Sequence, residues 1–122
     1  MVIYTEYSGA ASSEEIDAIC MRLGLCADSW IVHFWRQCNG ALLNDQVLIY
    51  STDEIEERNS TFQVNECFKG MVAVGDDSGG RLILIHKGEA AGLLLVDSGS
   101  GSLEGCERFE SMIELLTYIK EE

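Results

Sequence analysis

Apolar residues near the start of the chain recur at the spacing of an amphipathic helix. Ile16, Ile19 and Leu23 lie three or four positions apart, ahead of a glycine at which a helix can end. Ser12 precedes them with Glu15 three positions later, which is the spacing of a capping box. The pattern predicts a first helix that begins after Ser12 and ends at this glycine.

A second apolar stripe at helical spacing follows. Its members are Ile31, Phe34, Trp35 and Cys38. Asp28 can cap this helix, and His33 falls on the opposite face, towards water. Asn39 and Gly40 come next, and a glycine with positive φ is a common left-handed exit from a helix. We therefore predict that Asn39 and Gly40 are structural residues that end the second helix.

A strand followed by a short helix is predicted in the middle of the chain. Residues 46–50 are rich in β-formers, and the run stops at Ser51. Glu54 stands three positions after Ser51 and repeats the capping-box spacing ahead of Ile55. The pattern predicts a helix over about 53–58.

Three short apolar runs, MVAV, RLILIHK and AGLLLVDS, are separated by glycine-rich turns and indicate neighbouring antiparallel strands. The segment GDDSGG between the first two has the chemistry of a hairpin, because aspartate tolerates the left-handed region and glycine adopts positive φ freely. We therefore predict that Gly75, Gly79 and Gly80 are structural.

The end of the chain carries one more helical stripe. Its members are Phe109, Met112, Ile113, Leu116 and Ile119. Helices first, then strands, then a final helix predict an α+β fold, with a mostly antiparallel sheet and helices packed against one of its faces.

Length and composition predict one domain over residues 1–122, because 122 residues with 47% hydrophobic content build one core but not two. The apolar runs fall short of the roughly 18 residues of a membrane-spanning helix, so we expect a soluble protein without membrane insertion. The start of the chain lacks the basic and apolar regions of a secretory signal. An odd number of widely spaced cysteines, five, also argues against a disulfide framework, and we expect a cytoplasmic location.

The charge balance bears on partners. Eight basic and 21 acidic residues give a formal net charge of −13, which repels nucleic acid and anionic membranes. The same charge accelerates encounter with a basic protein. We therefore expect a protein partner and no nucleic acid.

The residues around Ser78 resemble the loop of a serine nucleophile, and His33 with Asp45 or Asp53 supplies the chain order of a protease triad. Such β-barrel proteases run to about 200 residues, and His33 lies on a predicted helix. A phosphate cradle requires a helix after the glycine-rich loop, whereas a strand follows here. A strand-joining turn is the preferred interpretation.

Cysteine and histidine spacing does not indicate a metal centre. The five cysteines form no CxxC pair, and neither His33 nor His86 stands at a ligand spacing from any of them. Cys20 and Cys38 lie on apolar helix faces, where small core residues are expected. We expect no catalytic residue, no cofactor and no metal.

The serial order of the motifs carries a resemblance to a known family. WIVHFWRQCNGALL is followed by LIYSTDEIEERN, MVAVGDDSGGRLILI, LLLVDS and RFESMIELLTYI, over about residues 13–119. This order resembles the SUKH superfamily, which includes fungal Smi/Knr cell-wall regulators and many small bacterial proteins. The resemblance implies a SUKH-like α+β domain without catalytic activity. It departs from the family in lacking a proline before the second helix, where Cys26, Ala27 and Asp28 stand.

In bacteria the SUKH resemblance implies an immunity protein that binds and neutralises a cognate toxin. A toxin domain that attacks nucleic acid presents a basic surface, so its inhibitor gains by offering carboxylates. The clustered candidates for this contact are Asp53, Glu54, Glu56, Glu57, Asp76 and Asp77. The flank of the second helix, with Trp30 and His33, is a further candidate surface. Two alternatives remain open, a cytosolic regulatory or scaffold module and a domain that binds a small ligand.

Overall fold

The computed structural model of the chain describes residues 4–7, 9–87, 92–99 and 106–121. Within these ranges the helices are α1 (Ser13–Leu23), α2 (Trp30–Trp35), α3 (Ile55–Thr61), α4 (Val64–Cys67) and α5 (Met112–Lys120). The strands in the same ranges are β1 (Tyr4–Tyr7), β2 (Ala41–Leu43), β3 (Val47–Ile49), β4 (Met71–Asp76), β5 (Arg81–His86), β6 (Leu93–Asp97) and β7 (Glu107–Phe109).

Over the described residues, the strands form one seven-stranded sheet in the order β1-β2-β3-β4-β5-β6-β7, and every neighbouring pair is antiparallel. α3 and α4 are inserted between β3 and β4, and both contact β4, whereas α5 packs against β6 and β7. The predicted α+β class is therefore confirmed. The predicted strands correspond to β3, β4, β5 and β6, while β1, β2 and β7 were not predicted.

Three neighbouring strands, β4, β5 and β6, are buried on both faces. Residues 71–75, 82–85 and 93–96 are buried without alternation. Successive side chains of a strand point to opposite faces, so an unbroken buried run requires cover on both sides. The sequence predicted helices on one face, and the burial pattern shows that the other face of β4, β5 and β6 is covered as well.

An asparagine side chain holds α3 beside the sheet. The main chain of β3 pairs with β4 as far as Tyr50, whose N–H donates to the Val74 carbonyl at 2.9 Å. Beyond this point the backbone of β4 is hydrogen-bonded by the side chain of Asn59 in α3 instead of by β3. Its Oδ1 accepts from the Ala73 N–H at 2.8 Å, and its Nδ2 donates to the Ala73 carbonyl at 2.9 Å. A buried strand edge is thus satisfied, and the position of α3 is set.

Two helix starts follow the predicted capping chemistry. Ser12 and Glu15 form a reciprocal capping box at α1, which ends at Gly24 with φ of 71°. The Ser51 Oγ accepts from the Glu54 N–H at 3.2 Å, and Glu54 Oε1 accepts from the Ser51 N–H at 3.2 Å. α3 itself runs over Ile55–Thr61, slightly later than predicted.

The second helix is shorter than predicted. α2 ends at Trp35, and the backbone of its C-cap residue Arg36 has the right-handed helical conformation. The N-cap of α2 is Ser29 rather than Asp28. Gly40 does adopt the predicted positive φ, at 98°. It lies beyond the helix, where a Cβ would sit 3.2 Å from the backbone nitrogen of Ser51. Asn39 and Gly40 are structural as predicted, but they shape the connection to β2 instead of ending α2.

Gly75 has a separate steric role in the sheet. The pairing of β4 with β5 shifts by one residue between Ala73 and Gly75, which is a β-bulge. A Cβ at Gly75 would overlap the Leu48 carbonyl oxygen of the neighbouring strand. Only glycine permits this approach of β3 to β4.

The stripe of the last helix differs from the prediction at two positions, because Phe109 lies in β7 and Ile113 is exposed. Met112, Leu116 and Ile119 are buried as expected, but Ile113 is 67% exposed. Leu115 is fully buried in its place. The face of α5 that packs on the sheet thus includes Leu115, and Ile113 points to solvent.

Candidate protein-binding surface

Three carboxylates project from the start of α3. Asp53, Glu56 and Glu57 are exposed, and we refer to them as the α3 acidic surface. Glu54, which the sequence grouped with them, is only half-exposed and serves the cap at Ser51. The side chains of Asp53 and Glu57 make no hydrogen bond or ion pair with any part of the chain that the structure describes. Their charge is therefore open to a partner.

An ion pair joins the α3 acidic surface to α1. Arg22 Nε lies 2.9 Å from Glu56 Oε1, and the two side chains are 57% and 48% exposed. Such an exposed pair contributes at most about 1 kcal/mol of stability. α1 also exposes Glu14 and Asp17, so acidic side chains lie on both of the helices that the pair connects.

A polar network sets the position of Asp53. The preceding residue, Thr52, is buried, and its N–H donates to Asn39 Oδ1 at 2.8 Å. Asn39 Nδ2 donates to Thr52 Oγ1 at 3.0 Å, and Thr52 Oγ1 donates to Glu15 Oε2 at 3.4 Å. The N–H and hydroxyl of Ser12 both donate to Glu15, and these bonds lower the pKa of its carboxyl. The turn that presents Asp53 is thereby tied to α1 and to the loop before β2.

The second predicted acidic cluster, at the β4–β5 turn, is built differently. Asp77 is 8% exposed. Its Oδ1 accepts from the N–H groups of Gly79 and Arg81 at 2.8 and 3.0 Å, and its Oδ2 lies 2.6 Å from Arg81 Nε. Burial by itself raises the pKa of Asp77, but the hydrogen bonds and charge of Arg81, with the Gly79 N–H, outweigh burial and lower it.

Asp76 is likewise engaged inside the molecule. Its Oδ2 accepts from the Tyr50 hydroxyl at 2.8 Å, and its Oδ1 accepts from the Ser78 N–H at 2.9 Å. Ser78 is exposed with φ of 63°, in the turn between β4 and β5. The strand-joining interpretation of GDDSGG is confirmed. Asp77, which the sequence placed among the candidate contact residues, is instead buried against Arg81.

Tyr50 links this turn to α3. Its side chain is fully buried, and burial together with the hydrogen bond to Asp76 raises the pKa of its hydroxyl. The Arg58 guanidinium lies 5.7 Å from the centre of its ring, within the range of a cation–π contact. Tyr50 and Arg58 are therefore structural supports between the two acidic clusters.

Trp30 and His33 lie in a groove that the sequence did not predict. Trp30 is half-buried, and its ring centre lies 5.0 Å from that of Phe34, whereas His33 is exposed as expected. Both line an open groove of about 360 Å³ whose other wall is the start of α5. Ile113 belongs to this wall. The sequence predicted a core position for Ile113 because it lies within an apolar stripe at helical spacing.

The cysteine thiols and the metal-ligating side chains bear on covalent chemistry and metal binding. All five cysteines are free, and burial raises the pKa of the Cys20 and Cys38 thiols, which disfavours the nucleophilic thiolate. Over the described ranges, no group of histidine, cysteine and carboxylate side chains is arranged to hold a metal ion. Over the same ranges, none of the helices has the length and apolar character needed to cross a membrane.

The fold and these surfaces define an α+β protein with one open acidic surface and one apolar groove. Neither protein-family models nor curated proteins match this chain. The SUKH assignment therefore stays a prediction based on the serial order of the motifs.

Proposed function

We propose that this protein is a non-enzymatic binding protein of the immunity type, which neutralises a cognate bacterial toxin by covering its basic surface. The observation that carries the proposal is the α3 acidic surface, in which the side chains of Asp53 and Glu57 are exposed and have no partner among the described residues. The motif order that resembles the SUKH superfamily supports the same function. The proposed place of action is the cytoplasm.

Electrostatics supports this kind of binding. A formal charge of −13 attracts a basic partner over long range, and such steering raises association rates by about 10- to 1,000-fold at low salt. Carboxylates that already hold an internal cation contribute less to this attraction, because their field is partly neutralised. Asp53 and Glu57 are thus better suited to recognition than Asp77, which faces Arg81.

The Asn39–Thr52 network makes the surface suitable for a specific contact. Thr52 is held by two hydrogen bonds to Asn39, so Asp53 starts from a fixed backbone position. A preorganised side chain loses less conformational freedom on binding than one on a loose loop. This supports a geometrically defined interface rather than diffuse charge attraction alone.

The test is to co-express the protein with the tagged product of its neighbouring gene and to measure association at low and high salt. The variant Asp53→Lys/Glu57→Lys should slow association at low salt by roughly tenfold or more, with a much smaller effect at high salt. The control is Glu107→Lys/Glu121→Lys, which makes the same change in net charge at two other exposed positions. It should slow association far less.

Two results would contradict the proposal. Equal slowing by both double variants would mean that net charge, not the α3 acidic surface, governs the encounter. Failure to protect a sensitive bacterial host from the neighbouring gene's product, despite binding, would favour a regulatory or scaffold module.

A further inference from the structure

The groove between α2 and α5 combines an apolar floor with an acidic rim. Trp30, Leu93 and Met112 line it, and all three are buried or half-buried. Ile113 stands at its side with 67% of its surface exposed. A volume of about 360 Å³ is near the lower end of the roughly 300–1,000 Å³ of ligand sites, which suits a short segment.

The charged groups around the groove are mostly acidic. Asp28 precedes α2 and Glu110 precedes α5, and both are exposed lining residues. Glu114 lies directly behind, because its Oε2 accepts from the Glu110 N–H at 2.8 Å. No lysine or arginine belongs to the described lining, although the Arg108 guanidinium lies close to Gly92 at one end. An apolar group flanked by positive charge complements this arrangement.

Ile113 differs from the other large exposed apolar residue of the described chain. Met21 is 86% exposed on α1 but does not line this groove. Ile113 instead adjoins Trp30 and Met112, so a side chain seated there meets apolar surface on more than one side. Contacts enclosed in this way contribute most of the affinity at protein interfaces.

We propose that this groove binds a short segment of a protein partner in which an apolar side chain stands next to a lysine or arginine. The apolar side chain packs between Trp30 and Ile113, and the cation faces Asp28 and Glu110. The inference concerns a surface separate from the α3 acidic surface and does not depend on the proposed immunity function.

The test is selection of peptides from a random 12-residue library on the immobilised full chain. Each enriched peptide is then measured by calorimetry against wild type, Ile113→Ser and the matched control Met21→Ser. We expect enriched peptides to carry an apolar residue beside lysine or arginine. Their affinity should fall at least about tenfold with Ile113→Ser and stay unchanged with Met21→Ser. Asp28→Asn/Glu110→Gln should weaken the same peptides and reduce the salt dependence of binding.

Three outcomes would overturn the inference. One is the absence of any enriched peptide, and a second is enrichment of peptides that bind all variants equally. The third is a concentration-dependent dimer in sedimentation that Ile113→Ser abolishes, because the occupant would then be a second copy of this chain. Thermal unfolding of each variant shows whether a lost affinity reflects lost folding, and Asp28→Asn/Glu110→Gln probes the groove without changing its apolar side chains.

Discussion

The two acidic clusters of this protein have opposite environments. Asp53, just before α3, and Glu57, in its first turn, are exposed and have no side-chain partner in the described ranges, whereas Asp77 is buried against Arg81 and two backbone N–H groups. The difference arises from the backbone. A tight turn directs its N–H groups towards the aspartate that precedes them, while a helix satisfies its own N–H groups and leaves outward side chains free.

The comparison separates charge that stabilises the fold from charge that is free for recognition. A count of acidic residues does not distinguish the two kinds of charge, because each carboxylate adds the same unit to the net charge whether or not it has a partner. Hydrogen-bond partners do distinguish them. Variants of the turn should therefore alter unfolding, and variants of the α3 acidic surface should alter partner association.

The largest expected effect is on Asp77. Asp77→Ala removes a buried acceptor that serves the Gly79 N–H, the Arg81 N–H and the Arg81 guanidinium, so we expect the free energy of unfolding to fall by about 2–4 kcal/mol. Denaturant titration measures this change. Asp53→Ala, the matched control, should change stability by no more than about 0.5 kcal/mol. Equal effects of the two variants would remove the distinction between the clusters.

Acid unfolding provides the next test. Because the pKa of Asp77 is lowered in the folded state, its contribution to stability is fully present above the ordinary aspartate pKa, near 3.9. That contribution is lost as pH falls from there through the folded-state pKa. Glu15 acts in the same direction. Stability of Asp77→Asn should therefore depend less steeply on acid pH than that of wild type. Parallel curves of stability against pH for the two proteins would show that Asp77 has the same pKa in the folded and unfolded states.

The link between the turn and the core comes next in size. Tyr50→Phe removes the hydroxyl that donates to Asp76 at 2.8 Å and keeps the ring beneath Arg58. We expect a loss of about 0.5–1.5 kcal/mol in the free energy of unfolding, typical of one hydrogen bond. In the background of Asp76→Ala the same substitution should have a smaller effect. An undiminished effect there would assign the loss to packing of the ring.

The smallest expected effect on stability belongs to the α3 acidic surface. Asp53→Lys/Glu57→Lys should change the free energy of unfolding by no more than about 0.5 kcal/mol for each position, because neither side chain has a partner in the part of the chain that the structure describes. Thermal unfolding measures it. A larger loss would mean that these carboxylates support the start of α3, where negative charge favours the helix dipole.

The sequence alone determined the features that depend on neighbouring residues. The Ser12–Glu15 capping box and the Ser51–Glu54 pair were predictable because each joins residues three positions apart. The apolar runs of β4, β5 and β6 predicted strands because they contain more consecutive apolar residues than a turn or an exposed segment does. The positive φ of Gly40 was also predicted from the local sequence, because a glycine follows the second helical stripe.

Only the tertiary structure decided the features that depend on distant residues. β2 and β7 are three residues long, which is too short to show an alternation of apolar and polar residues. They form because neighbouring strands supply their hydrogen bonds. Leu115 rather than Ile113 faces the core because the sheet selects the angle at which α5 packs. Trp30 and Ile113 meet across one groove although they are far apart in the chain. Local propensity carries no information about such contacts, since they form only when separate elements close on a common core.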